Sequence, residues 1–283
     1  MKLHSVMNSP CARLSSAILV ALLPLILLLG SAKAAGEEPR REEIKCCAVF
    51  ELRQYTLHPG QRDTLIELFD REFVESQEAV GMRIYGQFRD ADQPDRFVWV
   101  RGFANMEVRK QALASFYGGA TWKAHGKAAA ATMIDSDNVL LLRSVDPQRD
   151  FDDLPKSRPP IGAVEPGSLV EATVYGLRPE ARARFLKIYR ERMRPAMLGA
   201  GIVPRAAFST LHAPNTYPAL PVREGEEVFV WFASFQDDEA SAASHEKLSH
   251  LRSWLSVQAE LAACLTSPPQ QLRLRPTGRS LLR

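Results

Sequence analysis

Polar and apolar side chains alternate in two short segments of the chain, and both segments carry residue types that can do chemistry. The first segment places Glu51, Arg53 and Tyr55 at every second position, and the other has Glu171 and Tyr175 four residues apart. In a shared low-dielectric cavity, a Glu or Tyr of this kind serves as acid, base or ligand anchor, because its pKa shifts there. The alternative is a hydrogen-bond network that is satisfied within itself and fixes strand pairing.

Two further residues are candidates for ligand binding. Trp99 lies within a predicted strand, where an aromatic side chain either stacks on a substrate or packs in the core. His58 follows another predicted strand and has the chemistry to bind a metal or move protons, with an exposed loop residue as the alternative. Arg178 takes its place in the second segment, which argues against a shared ligand role. No Cys/His or His/carboxylate spacing of a recognised metal site is present, so we predict no metal.

The two polar segments belong to a longer internal repeat. Residues 51–59 align with residues 171–179 at an offset of 120. Farther along the chain the offset becomes 132, so that Trp99 aligns with Trp231. The change reflects a 12-residue insertion in the second copy, just before Phe229, whose prolines mark a long loop. Two constant offsets with one change between them indicate two copies of one unit.

Each copy has the hydrophobic pattern of a β-α-β-β-α-β unit. This order is that of a ferredoxin-like fold, whose sheet carries helices on one face and leaves the other face to be covered. We therefore predict an α+β fold in which two tandem ferredoxin-like units pair as an intramolecular α+β barrel. In the first copy, we expect strands over 48–57, 82–89, 96–103 and 138–143, and helical segments over 61–79 and 105–134.

Strand alternation also predicts which side chains face the barrel interior. Phe50 and Leu52 form the apolar set of the first strand, opposite Glu51, Arg53 and Tyr55. We expect the apolar sets of both copies to lie under the helices, which leaves the polar sets to line the interior. An open cavity there would favour an enzyme, whereas a filled interior with an exposed apolar patch would favour an interaction protein.

The first copy also resembles a known family. Its segment FELRQYTLHPG, at residues 50–60, is similar to the opening motif of the NIPSNAP family, and residues 121–123 and 138–143 resemble the end of that domain. The second copy has Thr173 in place of the arginine, so we treat it as degenerate. The resemblance implies a fold of the dimeric α+β barrel superfamily, which includes small monooxygenases and haem-degrading enzymes. A shared fold does not transfer an activity.

The start of the chain has the features of a signal peptide over residues 1–34. A basic start precedes an apolar run of 13 residues, and the small-residue pattern Ala32-Lys33-Ala34 follows. Because this run is short for a membrane span, we expect cleavage and export to the periplasm or outside the cell, with an uncleaved membrane anchor as the alternative. The remaining chain divides into a NIPSNAP-like domain at 47–145, a proline-rich linker at 146–167 and a degenerate second domain at 168–276, with no membrane span.

Export would leave three cysteines in an oxidising compartment. Adjacent cysteines rarely bond each other, so we do not expect Cys46 to pair with Cys47. Either of them has the option of pairing with Cys264, and the sequence does not decide the connectivity. We favour Cys264 as a buried thiol.

Composition excludes several classes of partner. The formal net charge of +3 comes from the signal segment, which holds three basic and no acidic residues, so the exported chain is neutral. A neutral chain offers no concentrated basic face, and we predict no nucleic-acid partner.

These features together favour a binding or interaction protein over an enzyme with strong catalytic machinery. We expect a small apolar or aromatic ligand and no resident cofactor, with a homodimer left open. The alternative is a monooxygenase-like or haem-linked enzyme that uses the polar barrel interior.

Overall fold

Eight antiparallel strands alternate with helices along the chain and close into one barrel. The computed structural model describes residues 46–147, 150–151 and 153–283, so the predicted signal peptide lies outside the described residues. Among these residues, no helix is long and apolar enough to cross a membrane. The strands are β1 (Val49–Leu57), β2 (Arg83–Asp90), β3 (Arg96–Phe103), β4 (Met133–Ser144), β5 (Leu169–Gly176), β6 (Pro204–Thr210), β7 (Val228–Phe235) and β8 (Gln270–Pro276).

Helices cover the outside of the barrel. Two helical segments contain a π turn, at Phe69–Phe73 and at Tyr189–Met193, and a 3-10 turn spans Pro179–Ala181. Helix starts at equivalent places are capped by the side chains of Asn105 and Asp237, which each accept a backbone N–H of the first turn. The helices are α1 (Arg62–Leu68), α2 (Val74–Glu78), α3 (Met106–Gly118), α4 (Ala120–Ala130), α5 (Arg182–Ile188), α6 (Arg194–Ala200), α7 (Asp238–Ser249) and α8 (Arg252–Ala262).

The strand order confirms an α+β barrel. Around the closed sheet the order is β1-β3-β2-β8-β5-β7-β6-β4. Strands β1–β4, the first half, are therefore contiguous, and so are β5–β8, the second half. The halves join where β2 pairs with β8 and where β4 pairs with β6.

The barrel interior is apolar and filled, so the predicted polar interior is wrong. Apolar side chains from all eight strands, including Phe50 and Leu52 of β1, pack there in one buried cluster. Phe151 and Leu282, from the segments that follow β4 and β8, join this cluster. The interior of an eight-stranded barrel is narrow enough for side chains to fill, and apolar side chains fill it without leaving charges unpaired. The polar sets consequently lie on the outer face, under the helices.

The segment between the two halves packs against the barrel. Its described residues contain no helix or strand. Phe151 is buried in the interior cluster, and Arg158 donates hydrogen bonds to Glu78 and to the backbone oxygens of Ile84 and Arg279. This segment therefore helps to close one end of the barrel.

The cysteines differ in part from the expectation. Cys46 and Cys47 form a disulfide between adjacent residues, so the prediction against this pair is wrong. Their Cα atoms lie 3.8 Å apart, the spacing of any trans peptide. Cys264 is a buried free thiol, in agreement with the interpretation that we favoured.

Candidate functional site

The sequence-predicted residues do not share one cavity. Glu51, Arg53 and Tyr55 lie on the outer face of the first half, where helices cover them, and Trp99 lies beside them on β3. Glu171 and Tyr175 take the equivalent positions on the outer face of the second half. His58 lies apart from both groups, exposed in the loop after β1.

Glu51 is the centre of a buried charge cluster that we call the arginine cluster: Glu51, Arg53, Arg101 and Arg109. Two members are set by strand register, since Glu51 lies opposite Arg101 on β3, while Arg109 comes from α3. The Glu51 carboxylate accepts hydrogen bonds from Arg53 Nη1 at 2.8 Å, Arg101 Nε at 2.7 Å and Arg109 Nε at 2.6 Å. All four side chains are fully buried. Burial alone would raise the pKa of Glu51, but Arg101, Arg53 and Arg109 hold that pKa well below its usual range.

An aromatic cavity of about 350 Å³ lies directly beside the arginine cluster, between the sheet of the first half and its helices. Its walls are mostly apolar and contain no Asp, Glu, Lys, Arg or His side chain. The lining residues with a polar atom are Tyr55, Gln77, Trp99, Tyr117, Ser136 and Tyr217. Rings contribute much of the remaining wall, from Phe69, Phe73, Phe116 and Trp122.

The rings of the cavity wall hold one another in place. Trp99 makes edge-to-face contacts with Tyr55 and Phe69, with ring centroids 5.9 and 4.9 Å apart. Phe69 and Phe73, at the two ends of the first π turn, are also edge-to-face, at 6.1 Å. Such pairs contribute about 0.5–1.5 kcal/mol each beyond the area that they bury. The cavity is thus preformed.

A loop from the second half covers the aromatic cavity. It is the insertion between β6 and β7 that the sequence predicts as a long loop, and it contributes Tyr217, Ala219 and Leu220 to the cavity wall. Arg109 Nη1 anchors it by donating to Asn215 Oδ1 at 3.0 Å and to Thr216 Oγ1 at 3.3 Å. Tyr217 stacks on Tyr117 with centroids 5.9 Å apart. The arginine cluster therefore connects the first half's sheet to the second half's loop.

The second half has a different polar group at the equivalent place. Glu171 accepts hydrogen bonds from Ser241 and from His245, whose Nε2 lies 2.6 Å from the carboxylate. The bond to Glu171 raises the pKa of His245. Tyr175 is bonded to Trp231 Nε1 at 3.4 Å, and burial raises the pKa of Tyr175 to about 12.

The alignment of the two halves shows which residues differ between these two polar groups. At the repeat offsets, Thr173, Ala233 and Ser241 of the second half occupy the positions of the three arginines of the first half. The second half therefore keeps the carboxylate and loses the guanidinium groups. Arg101 and Arg109 are not among the sequence-predicted site residues, although the alignment of the two halves contains a signal: each is an arginine aligned with a small residue of the second half.

The described residues offer no cluster of metal ligands, and the aromatic cavity offers no His or Cys as an axial ligand for haem. Among the described residues, no group of three or more His, Cys, Asp or Glu side chains is placed to hold a metal ion. Haem is the cofactor of the alternative enzyme hypothesis, and its commonest axial ligands are His and Cys. No residue of either type lines the aromatic cavity, and the Tyr55 hydroxyl is already bonded to Arg53 Nε at 2.8 Å. The residues that line the aromatic cavity therefore do not fit haem.

The chain is similar to solved structures over most of its length. An anthrone oxidase-like protein is 12% identical to it, over 83% of this chain and 93% of that one, with a TM-score of 0.54. A proposed monooxygenase from Lactobacillus acidophilus is 12% identical, over 81% of this chain and 94% of that one, with a TM-score of 0.50. At such identity the likeness shows the fold alone, an α+β barrel. No match was found among proteins of curated function.

The chain is also similar, over less of its length, to solved NIPSNAP proteins. A NIPSNAP family protein from Agrobacterium tumefaciens is 20% identical, over 44% of this chain and 99% of that one, with a TM-score of 0.35. The sequence profile of the NIPSNAP family matches residues 50–146, which include the whole arginine cluster and all of β1–β4 except Val49. Residues 50–146 of this chain are a NIPSNAP domain.

Proposed function

We propose that this NIPSNAP domain binds a small, flat aromatic or apolar molecule in the aromatic cavity. The observation that carries the proposal is a preformed cavity of about 350 Å³, walled by aromatic rings and covered by a loop from the other half of the chain. Sites of this size and composition are typical of small-molecule binding. The barrel interior, by contrast, is packed with buried apolar side chains.

The aromatic lining of the cavity favours a planar ligand. Trp99 and Phe69 form one side, and Tyr217 of the covering loop contributes another. A planar molecule between such rings gains stacking contacts in addition to the burial of its own apolar area. The hydroxyl and indole groups of the wall would then orient its polar end.

A matched pair of variants at the end of α4 tests the proposal. Ala130 and Ala131 are both exposed alanines, but only Ala130 lines the cavity. A panel of two- and three-ring aromatic compounds is titrated against the native protein by isothermal titration calorimetry, and each binder is then titrated against both variants. We expect Ala130→Phe to weaken binding about tenfold or more, because its ring occupies ligand space, and Ala131→Phe to leave it unchanged. Equal effects of the two variants, or no binder in the panel, would contradict the proposal.

A second candidate is an oxygenase-type reaction on the bound aromatic molecule. It is favoured by the fold shared with proteins that are named an anthrone oxidase-like protein and a proposed monooxygenase. An oxygen electrode checks it with a compound that binds. Ligand-dependent oxygen uptake that Ala130→Phe abolishes would support the reaction, and tight binding without uptake would leave a binding protein only.

We infer that the protein is exported and that its two halves are tandem copies of a ferredoxin-like unit. Export is supported by the signal-like residues 1–34 and by the Cys46–Cys47 disulfide, which suits an oxidising compartment. The common strand order of the two halves supports the duplication. Mass spectrometry of protein from its own host should give a mature chain that begins at Ala35, and a mass that includes residues 1–34 would contradict cleavage.

A further inference from the structure

The arginine cluster carries more positive than negative charge. Its three guanidinium groups are fully buried, and Glu51 is the one carboxylate within ion-pair distance of them in the described part of the chain. Guanidinium does not lose its proton in proteins, so two positive charges remain without a partner of opposite sign. Uncompensated charge is costly to bury, and a network that served only to join strands would be more stable if it were balanced.

The excess positive charge of the arginine cluster lies next to the wall of the aromatic cavity. Three lining residues each contact an arginine of the cluster. Tyr55 Oη accepts a hydrogen bond from Arg53 Nε at 2.8 Å, and Gln77 Oε1 accepts one from Arg101 Nη1 at 3.0 Å. The Trp99 ring centroid lies 4.9 Å from Arg101 Cζ and 5.5 Å from Arg53 Cζ. The cavity therefore lies in a positive potential.

The same wall presents hydrogen-bond donors that lack acceptors. Trp99 is 2% exposed, and its indole N–H is buried without a partner. The Tyr55 hydroxyl accepts from Arg53, which leaves its own proton to be donated elsewhere. Tyr117 supplies another hydroxyl to the wall, and no lining carboxylate is present to repel an anion. A buried donor without an acceptor is destabilising, so the wall is suited to a ligand that supplies one.

We propose that the ligand is a planar aromatic molecule with an anionic oxygen, such as a carboxylate or an enolate, held by Trp99 Nε1–H and Tyr55 Oη–H. This inference rests on the proposed function and adds the charge of the ligand to it. The anionic oxygen would accept the two unused hydrogen bonds, and its charge would offset part of the excess of the arginine cluster. The rings of the ligand would occupy the apolar part of the cavity.

Calorimetric titration with a pair of probes of nearly equal shape tests this inference. The probes are 2-naphthoate, which is an anion at neutral pH, and 2-naphthamide, which is neutral. We expect 2-naphthoate to bind the native protein about tenfold more tightly or better, because its hydrogen bonds are charge-assisted. Trp99→Phe removes the indole donor and should reduce this preference to about threefold or less. Trp231→Phe, at the equivalent position of the second half, should leave both affinities unchanged.

The outcomes of the titration distinguish the preference for an anion from the aromatic cavity's role as the ligand site. If both probes bind equally well and Ala130→Phe weakens both, the anion preference is wrong and the cavity remains the ligand site. Failure of both probes to bind, or binding that Ala130→Phe does not alter, overturns the proposed function together with this inference. Should Trp99→Phe fail to fold, Tyr55→Phe replaces it, since Tyr55 Oη–H is the other donor that we assign to the anionic oxygen; an unchanged preference in that variant would count against the assignment.

Discussion

At the scale of single residues, the Glu51 carboxylate joins several elements of the fold. Glu51 accepts hydrogen bonds from three buried guanidinium groups, which join β1, β3 and α3 and, through Arg109, the covering loop. Because no other carboxylate reaches those arginines among the described residues, the loss of the Glu51 charge would leave them without any counter-ion. Breaking a buried ion pair in this way is far more costly than replacing the whole network with apolar residues.

We expect Glu51→Gln to lower the free energy of unfolding by about 3–5 kcal/mol. The matched control is Glu171→Gln, at the equivalent position of the second half, where the ion-pair partner is one half-exposed histidine. We expect that control to lose about 1 kcal/mol, as for a typical hydrogen bond. Urea unfolding at pH 7.5 measures both values. Equal losses would contradict the central place of Glu51.

The contribution of Glu51 should also depend on pH in a defined direction. Its pKa is lowered on folding, so the native state holds the carboxylate ionised at pH values where the unfolded chain gains a proton. The stabilisation is therefore complete above the unfolded pKa of about 4.3 and is lost progressively as the pH falls below that value.

At the scale of elements, the π turn at Phe69–Phe73 serves the cavity and also carries a cost. The turn places Phe69 and Phe73 side by side in the cavity wall. It also holds Asp70 in a partly buried position, where its carboxylate accepts one hydrogen bond among the described residues, a long one of 3.4 Å from Gln87 Nε2. Burial raises the pKa of Asp70 to about 6, against the opposing effect of Arg279.

Replacing Asp70 by Asn should therefore stabilise the protein at high pH. A carboxyl whose pKa is raised on folding contributes stability below its unfolded pKa, and this is lost as the pH rises through the folded value. We expect Asp70→Asn to raise the free energy of unfolding by about 1–2 kcal/mol at pH 8 and to have little effect near pH 4. Thermal unfolding at pH 4, 6 and 8 provides the measurement. A gain that does not vary with pH would show that the charge of Asp70 is not the cause.

The elements themselves were largely predictable from the sequence. Helical periodicity, strand alternation and the internal alignment give the order of the secondary-structure elements, and the helical segment predicted over 105–134 is divided between α3 and α4. Strand β4 begins at Met133, earlier than expected, because its first residues pair with the end of β1. Local patterns identify an element better than its ends.

At the scale of the whole molecule, alternation separates two sets of side chains without saying which set faces inward. Phe50 and Leu52 are correctly separated from Glu51 and Arg53, but the interior proved to be the apolar side. Where the loop that carries Tyr217 packs depends on how the two halves of the barrel pair with each other. No local pattern reports that, so the loop's place over the first half's cavity was not predictable.

The most direct test of this account is a crystal structure of the protein with a bound planar aromatic compound. We expect electron density for the ligand in the aromatic cavity, between Trp99 and Tyr217, outside the barrel and under the covering loop. We also expect that Phe50 and the other interior side chains remain packed against one another. Ligand density within the barrel interior, or beside Glu171 in the second half with an empty aromatic cavity, would contradict this account.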